Sequence, residues 1–142
     1  MSIIDAFDSS EEKKNKSHLR NLIRLALADG QIDEDELLRI RKTARFLGVT
    51  PEETDELLAN PDKIHFIPPA STQERLERLV GLLRVVMADG IVSSAEDVLL
   101  RRICIGLGFK EEKIRDVINL GYDCLKKEMD TDDIIDKLKP IA

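Results

Sequence analysis

Apolar residues recur along most of the chain at the spacing of a helix. Near the N-terminus they fall at positions i, i+3, i+4, i+7 and i+8, which places them on one helical face: Leu19, Leu22, Ile23, Ala26 and Leu27. We therefore predict a first helix from about Ser10 to Asp29. Because no run of alternating β-branched residues competes with this pattern, we predict an all-α protein.

The same pattern returns after sixty residues. With that shift, LRNLIRLALADGQIDEDELLRIRKTARFLGVTPEE aligns with LVGLLRVVMADGIVSSAEDVLLRRICIGLGFKEEK without a gap. Each copy predicts a helix, a tight acidic turn, a second helix, a short link and a third helix. We therefore predict two pseudo-symmetric repeats, at about 10–60 and about 71–130, within a single domain over residues 1–142.

Capping signals mark the ends of the predicted helices. Asp33 with Glu36, and Ser93 with Glu96, have the spacing of a capping box at a helix start. A glycine just after a helix accepts the positive φ that ends it. The glycines in such positions are Gly30, Gly48, Gly90 and Gly108. Thr50 and Ser71 are further predicted N-caps.

Residues 61–70, PDKIHFIPPA, separate the two repeats. Three prolines and the absence of a helical period predict a linker, and we expect its Ile64, Phe66 and Ile67 to pack against the core. A longer helix is predicted over 110–129, and Thr131 is predicted to cap a short helix over 131–139. For the whole chain we therefore expect a compact bundle of about seven helices.

Composition narrows the class of protein. The chain has 142 residues, a net charge of −6 and only 4% aromatic residues, a balance that disfavours nucleic-acid binding. Its most apolar stretch, 79–88, is too short to cross a bilayer and contains Arg84. The N-terminus has no signal-peptide pattern. We expect a cytoplasmic protein with no membrane insertion.

The acidic turns at 28–36 and 88–96 are the strongest chemical feature. The first, ADGQIDEDE, places five carboxylates in eight residues with no base among them. Oxygen ligands of this kind suit Ca²⁺ or Mg²⁺. The turn matches only the second half of an EF-hand loop, because Leu25 and Leu27 would occupy its first ligand positions.

Three interpretations of these acids remain open. In the first, the acids cap helices and are stabilised by the positive end of the helix dipole. In the second, they form one composite cation site where the two turns approach each other. Alternatively, arginines at matched positions neutralise them: Arg24, Arg41, Arg84 and Arg101. The candidate metal ligands are Asp29, Glu36, Asp89 and Glu96, with Asp33 and Asp35 as further acids.

No combination of residues typical of catalysis accompanies the turns. Cys104 and Cys124 lie on apolar helix faces, where we expect them to be buried. His18 is predicted on the exposed flank of the first helix and His65 in the linker, and neither has a catalytic or metal-ligating partner at useful spacing. We therefore predict no enzymatic activity and assign no catalytic residue.

The motif ADG-x-(I/V)-x-x-x-E, followed about eleven residues later by LG, occurs twice and resembles the TerB-like family. The resemblance covers roughly residues 15–130. It implies an all-helical domain of two halves, a role in bacterial stress response that includes tellurite resistance, and a divalent cation held by acids that correspond to Asp29, Glu36, Asp89 and Glu96.

The same resemblance leaves alternative functions. A related module stands at the N-terminus of a membrane-anchored DnaJ-like co-chaperone, which implies a protein-interaction module without metal. A hydrolase that uses metal-bound water at the acidic turns is a further alternative.

Overall fold

The computed structural model describes residues 9–88 and 92–142, without the side chain of Asp29. In these ranges all regular secondary structure is helical, which confirms the all-α prediction. The seven α-helices there are α1 (Ser10–Ala26), α2 (Glu34–Phe46), α3 (Pro51–Ala59), α4 (Thr72–Val86), α5 (Ser94–Leu107), α6 (Glu111–Lys126) and α7 (Thr131–Leu138). Short 3-10 turns span Leu27–Asp29, Pro61–Lys63 and Lys139–Ile141.

The chain divides into two compact units, residues 1–67 and residues 68–142. The first contains α1 to α3 and the second contains α4 to α7. Their boundary lies inside the predicted linker 61–70. Helix α7, which follows the second repeat in the sequence, packs against α4 and α6 of the second unit. The pseudo-symmetric relation of the repeats within one domain stays a prediction.

In the first unit, α1 packs against both α2 and α3. The apolar stripe predicted for α1 is buried, including Leu19 and Ile23, together with Ile40 of α2 and Leu57 of α3. The sequence placed His18 on an exposed flank of α1, and that prediction is wrong. His18 is buried, because α1 is buried on more than one face around it, as its neighbour Ser17 is also.

In the second unit, α4 packs against α5, α6 and α7. Its apolar positions are almost completely buried: Leu76, Leu79, Val80, Leu82, Leu83 and Val86. Gly121 of α6 allows a close approach between α6 and α4, since a β-carbon at that position would collide with the side chain of Leu83. This contact makes a small residue necessary in the middle of α6.

Local capping explains where most helices begin and end. Capping boxes form at Asp33 and Ser93 as predicted, and Thr50, predicted as an N-cap, forms a third with Glu53. Three of the four predicted C-terminal glycines have positive φ, Gly30 at 102°, Gly48 at 75° and Gly108 at 105°, and Gly90 lies outside the described residues. The prediction for Thr131 is wrong by one residue. Asp130 is the N-cap of α7, because its carboxylate accepts the backbone N–H of Asp133 at 2.9 Å.

The proline-rich segment is partly packed. Its Ile64, Phe66 and Ile67 are half-buried. The backbone N–H of Ile67 donates to the buried hydroxyl of Ser17 at 2.8 Å. This bond attaches the end of the segment to α1.

Candidate functional site

The first acidic turn is a tight connection between α1 and α2. After the 3-10 turn Leu27–Asp29, Gly30 reverses the chain with a φ of 102°. Asp33 then accepts the backbone N–H of Glu36 at 2.7 Å, and the Glu36 carboxylate accepts that of Asp33 at 3.3 Å. Both acids therefore have a structural role at the start of α2.

The remaining described acids of this turn lie at the surface. Glu34 and Asp35 are exposed in the first turn of α2, beside the half-buried Glu36. Negative charge there is stabilised by the N-terminal end of the helix dipole. The side chain of Asp29 lies outside the part that the structure describes.

The second acidic turn has a different environment at its helix start. Ser93 accepts the backbone N–H of Glu96 at 3.1 Å, and the Glu96 carboxylate accepts that of Ser93 at 3.3 Å. Glu96 is only 5% exposed, whereas its counterpart Glu36 is half-buried. Asp89, the other candidate ligand of this turn, lies outside the described residues.

Tyr122 of α6 lies within electrostatic reach of this helix start. Burial raises the pKa of its hydroxyl to about 12, and the nearby carboxylates of Asp97 and Glu96 add to the effect. The hydroxyl oxygen is buried and makes no hydrogen bond to the described residues. No pattern in the sequence singles out this tyrosine.

Among residues 9–88 and 92–142, no group of three or more His, Cys, Asp or Glu side chains is placed to hold a metal ion. Asp89 and the side chain of Asp29 lie outside the described residues. The composite site of Asp29, Glu36, Asp89 and Glu96 therefore stays a prediction. What the structure does show is that Glu36 and Glu96 cap helices, each in a different unit.

The repeat-matched arginines have partners other than the candidate metal ligands. Arg41 donates to Asp55 at 2.8 Å and Arg101 to Asp97 at 3.0 Å. Arg84 donates to the Thr131 hydroxyl at 3.0 Å, and Nε of Arg24 lies 4.0 Å from a carboxylate oxygen of Asp62. In the described chain these contacts join helices or stabilise a single helix.

The second helix of each unit has exposed apolar side chains that were not predicted from the sequence. Leu38 is 55% exposed and Phe46 88% exposed on α2, and Val98 and Ile105 are 51% and 53% exposed on α5. Leu38 and Val98 occupy matched positions of the two repeats. A helical-wheel projection of 34–46 places Leu38 opposite Ile40, but it does not show which of the two is buried.

Leu38 and Phe46 belong to one outward surface of α2. Positions i, i+4, i+7 and i+8 share a helical face, and here they are Leu38, Lys42, Arg45 and Phe46, all exposed. We call these four residues the α2 face. It combines two apolar side chains with two cations.

A groove of about 200 Å³ adjoins the C-terminal end of α2, where the chain enters α3. Its lining includes the buried Ala44, Val49 and Thr54 and the exposed arginines Arg41 and Arg45. The other lining residues are Gly48, Thr50 and Pro51. Arg45 thus belongs both to the groove and to the α2 face.

The two cysteines are buried, as predicted, and both are free thiols. Burial raises the pKa of the Cys104 thiol to about 12, although Arg101 partly opposes the effect. A thiol with such a pKa is not a nucleophile near neutral pH.

In the described residues the secondary structure is helical, and the second helix of each unit starts with a capping box. The family model described as Tellurite resistance protein TerB matches residues 1–59 and 66–139. The chain belongs to the TerB family. No curated protein and no solved structure matches it significantly. In the described part of the chain, no helix is both long enough and apolar enough to cross a membrane.

Proposed function

We propose that this TerB-family protein is a non-enzymatic binding and scaffold module of a bacterial stress response of the tellurite-resistance type. It acts by binding another protein through the outward sides of α2 and α5. The observation that carries the proposal is the exposure of apolar side chains at matched positions of the two repeats, Leu38 at 55% and Val98 at 51%.

Burial of these side chains would contribute binding energy. Burying a fully exposed leucine or valine is worth about 1.5–3 kcal/mol, so covering these half-exposed side chains is worth about half of that each. Isolated exposed apolar residues are ordinary, but Leu38 shares its helix face with Phe46, and Val98 shares its own with Ile105, seven residues later. Each helix therefore offers a partner two apolar anchors instead of one.

The charges beside these anchors also correspond. Three and four residues after Leu38 stand Arg41 and Lys42, and after Val98 stand Arg101 and Arg102. A protein of net charge −6 thus has cations next to the apolar positions of both helices. Since Arg41 and Arg101 already pair with Asp55 and Asp97, Lys42 and Arg102 are the cations that favour a partner of opposite charge and increase its rate of association.

The test is rescue of a deletion strain during tellurite exposure. We expect deletion to sensitise cells and the wild-type gene to restore growth, whereas Leu38→Glu and Val98→Glu fail to restore it. Lys137→Glu, which adds negative charge at an exposed position of α7, is the matched control and restores growth. A deletion strain that is not sensitised would overturn the stress role, and full rescue by both test variants would overturn the binding surface.

A divalent cation at the acidic turns is the second candidate function. The density of carboxylates in residues 29–36, with no base among them, favours it. Capping does not prevent coordination, because a carboxylate has two oxygens and about four acceptor sites. The proposed ligands are Asp29, Glu36, Asp89 and Glu96, with Asp33 and Asp35 as further acids.

Metal titration tests this candidate. If it is correct, Ca²⁺, Mg²⁺ or Mn²⁺ releases or absorbs heat in calorimetry and raises the melting temperature. Asp29→Asn combined with Asp89→Asn removes both effects, and Asp132→Asn on the exposed surface of α7 retains them. An unchanged melting temperature at millimolar metal, or equal stabilisation of the double variant, would rule the cation out.

A further inference from the structure

We infer that the groove at the C-terminal end of α2 binds an acidic peptide segment of a partner protein. A carboxylate of the segment pairs with Arg45, an apolar side chain enters the groove, and the segment continues along the α2 face. This inference rests on the proposed function, since it specifies where and what kind of partner the first unit binds.

Small side chains line the groove at positions where the second repeat has larger ones. Ala44, Val49 and Thr54 line it. At the matched positions, sixty residues later, the chain has Cys104, Phe109 and Ile114. Phe109 is buried in the second unit, where the guanidinium of Arg75 lies 5.6 Å from the centre of its ring. The two repeats therefore differ in side-chain volume where the groove lies.

Charge complementarity selects an acidic occupant. From Leu37 to Phe46 the chain has four cations and no acid. They are Arg39, Arg41, Lys42 and Arg45. This local excess of positive charge lies in a protein whose net charge is −6. A partner segment with carboxylates would therefore be attracted to this helix.

Arg45 is the cation best placed to receive the carboxylate. Arg41 also lines the groove, but it already pairs with Asp55 at 2.8 Å. Arg45 is exposed, and no ion pair or hydrogen bond joins its side chain to any described residue. In the second repeat its position is occupied by Ile105. Its planar guanidinium can bind a carboxylate through two parallel hydrogen bonds.

The apolar part of the α2 face favours a peptide segment over a small carboxylate. Leu38 and Phe46 are eight residues apart, which is about 12 Å along the helix axis. A small molecule that fills a groove of about 200 Å³ cannot also cover Leu38. A peptide with acidic and large apolar residues can contact Arg45, the groove and both exposed side chains together.

The test is selection of random short peptides displayed on phage against the whole protein, followed by affinity measurement of the selected peptides. We expect enrichment of peptides that combine Asp or Glu with Leu or Phe. Arg45→Ile, which installs the residue of the second repeat, should weaken their binding about tenfold. Val49→Phe with Thr54→Ile fills the groove and should weaken binding as well. Arg115→Ile, the same change at an exposed position of α6, should leave affinity unchanged.

Several outcomes would overturn the inference. They are no enrichment of acidic peptides, enrichment of basic peptides, or equal affinity of selected peptides for wild type and Arg45→Ile. Self-association of the protein that Arg45→Ile abolishes in sedimentation equilibrium would assign the groove to a second copy instead. If Leu38→Glu still fails in the rescue assay while no acidic peptide is selected, the inference is wrong and the proposed function stands.

Discussion

Asn15 and Leu47 are joined by a hydrogen bond in which the side-chain amide of Asn15 donates to the Leu47 carbonyl at 3.2 Å. Sixty residues later Arg75 donates through Nε to the Leu107 carbonyl at 3.1 Å. In each unit the first helix thus satisfies a carbonyl left without a partner at the end of the second helix. Two different side chains perform the same task at matched positions.

Loss of either donor should destabilise the protein. We expect Asn15→Ala to lower the free energy of unfolding by about 1 kcal/mol. Arg75→Ala should cost about 0.5–1 kcal/mol more, because Arg75 also lies over the ring of Phe109. Urea unfolding of both variants measures the difference. An Arg75→Ala variant as stable as wild type would show that the Leu107 carbonyl needs no protein partner.

The buried ion pair between Lys16 and Glu53 should couple α1 to the start of α3. Lys16 is 4% exposed, and Glu53 also closes the capping box with Thr50. We expect Lys16→Met to destabilise the protein by about 1–2 kcal/mol, between the values for exposed and fully buried pairs. In a double-mutant cycle with Glu53→Gln, the two effects should sum to more than the double variant loses. Additive effects would contradict the coupling.

The same pair predicts a dependence on pH. Burial alone would raise the pKa of Glu53, but hydrogen bonds from Lys16 and Thr50 outweigh it and hold the pKa below its ordinary value of 4.5. A lowered pKa in the folded state stabilises the protein above pH 4.5, and this stabilisation is lost as the pH falls through the folded pKa. Glu53→Gln should therefore flatten the acid limb of stability against pH. An unchanged acid limb in the variant would contradict this role.

Gly121 should tolerate no larger residue unless Leu83 changes as well. A β-carbon at position 121 would meet the side chain of Leu83, which is 0% exposed and cannot move aside into solvent. We expect Gly121→Ala to cost about 1–3 kcal/mol through overpacking. Combined with Leu83→Ala, it should cost less than the sum of the single changes, because the smaller residue makes room. Chemical denaturation of wild type, the two single variants and the double variant measures these costs. Strictly additive changes in the free energy of unfolding would argue against the collision.

Tyr122 is the chain's single tyrosine, so its ionisation can be followed without interference. Burial and the nearby carboxylates of Asp97 and Glu96 raise its pKa from 10.0 to about 12. We expect tyrosinate absorbance to appear about two pH units later in the folded protein than in urea. Since its hydroxyl is buried without a hydrogen-bond partner among the described residues, Tyr122→Phe should be neutral or stabilising. A clear loss of stability would show that the hydroxyl has a partner.

The helix ends could be predicted because capping is local. The capping box at Asp33 and the positive φ of Gly48 depend on residues within one turn. The error at Asp130 and Thr131 has the same origin, since two adjacent residues can both cap and only their backbone geometry decides which one does. His18 was misplaced because its burial depends on tertiary packing, which spacing along one helix does not report.

The residues of the candidate site could be predicted only in part, for the same reason. The spacing of residues in α2 indicates which side chains share a face, but it does not show that Leu38 and Phe46 lie on the side away from the core. The groove depends on the small side chains of Ala44 and Val49. Their effect could not be predicted from the sequence, because it depends on how α2 packs against α3. The acidic turns, by contrast, could be recognised from the local sequence alone.

Photo-crosslinking in living cells tests most directly whether the outward sides of α2 and α5 bind a partner. A photoreactive phenylalanine derivative would replace Leu38, Val98 or, as the control, the exposed Lys137. The account predicts covalent adducts with another protein from positions 38 and 98 and not from 137, with an acidic crosslinked peptide at position 38 and no effect of a chelator. Adducts at 38 and 98 that do not exceed those at 137 would contradict it.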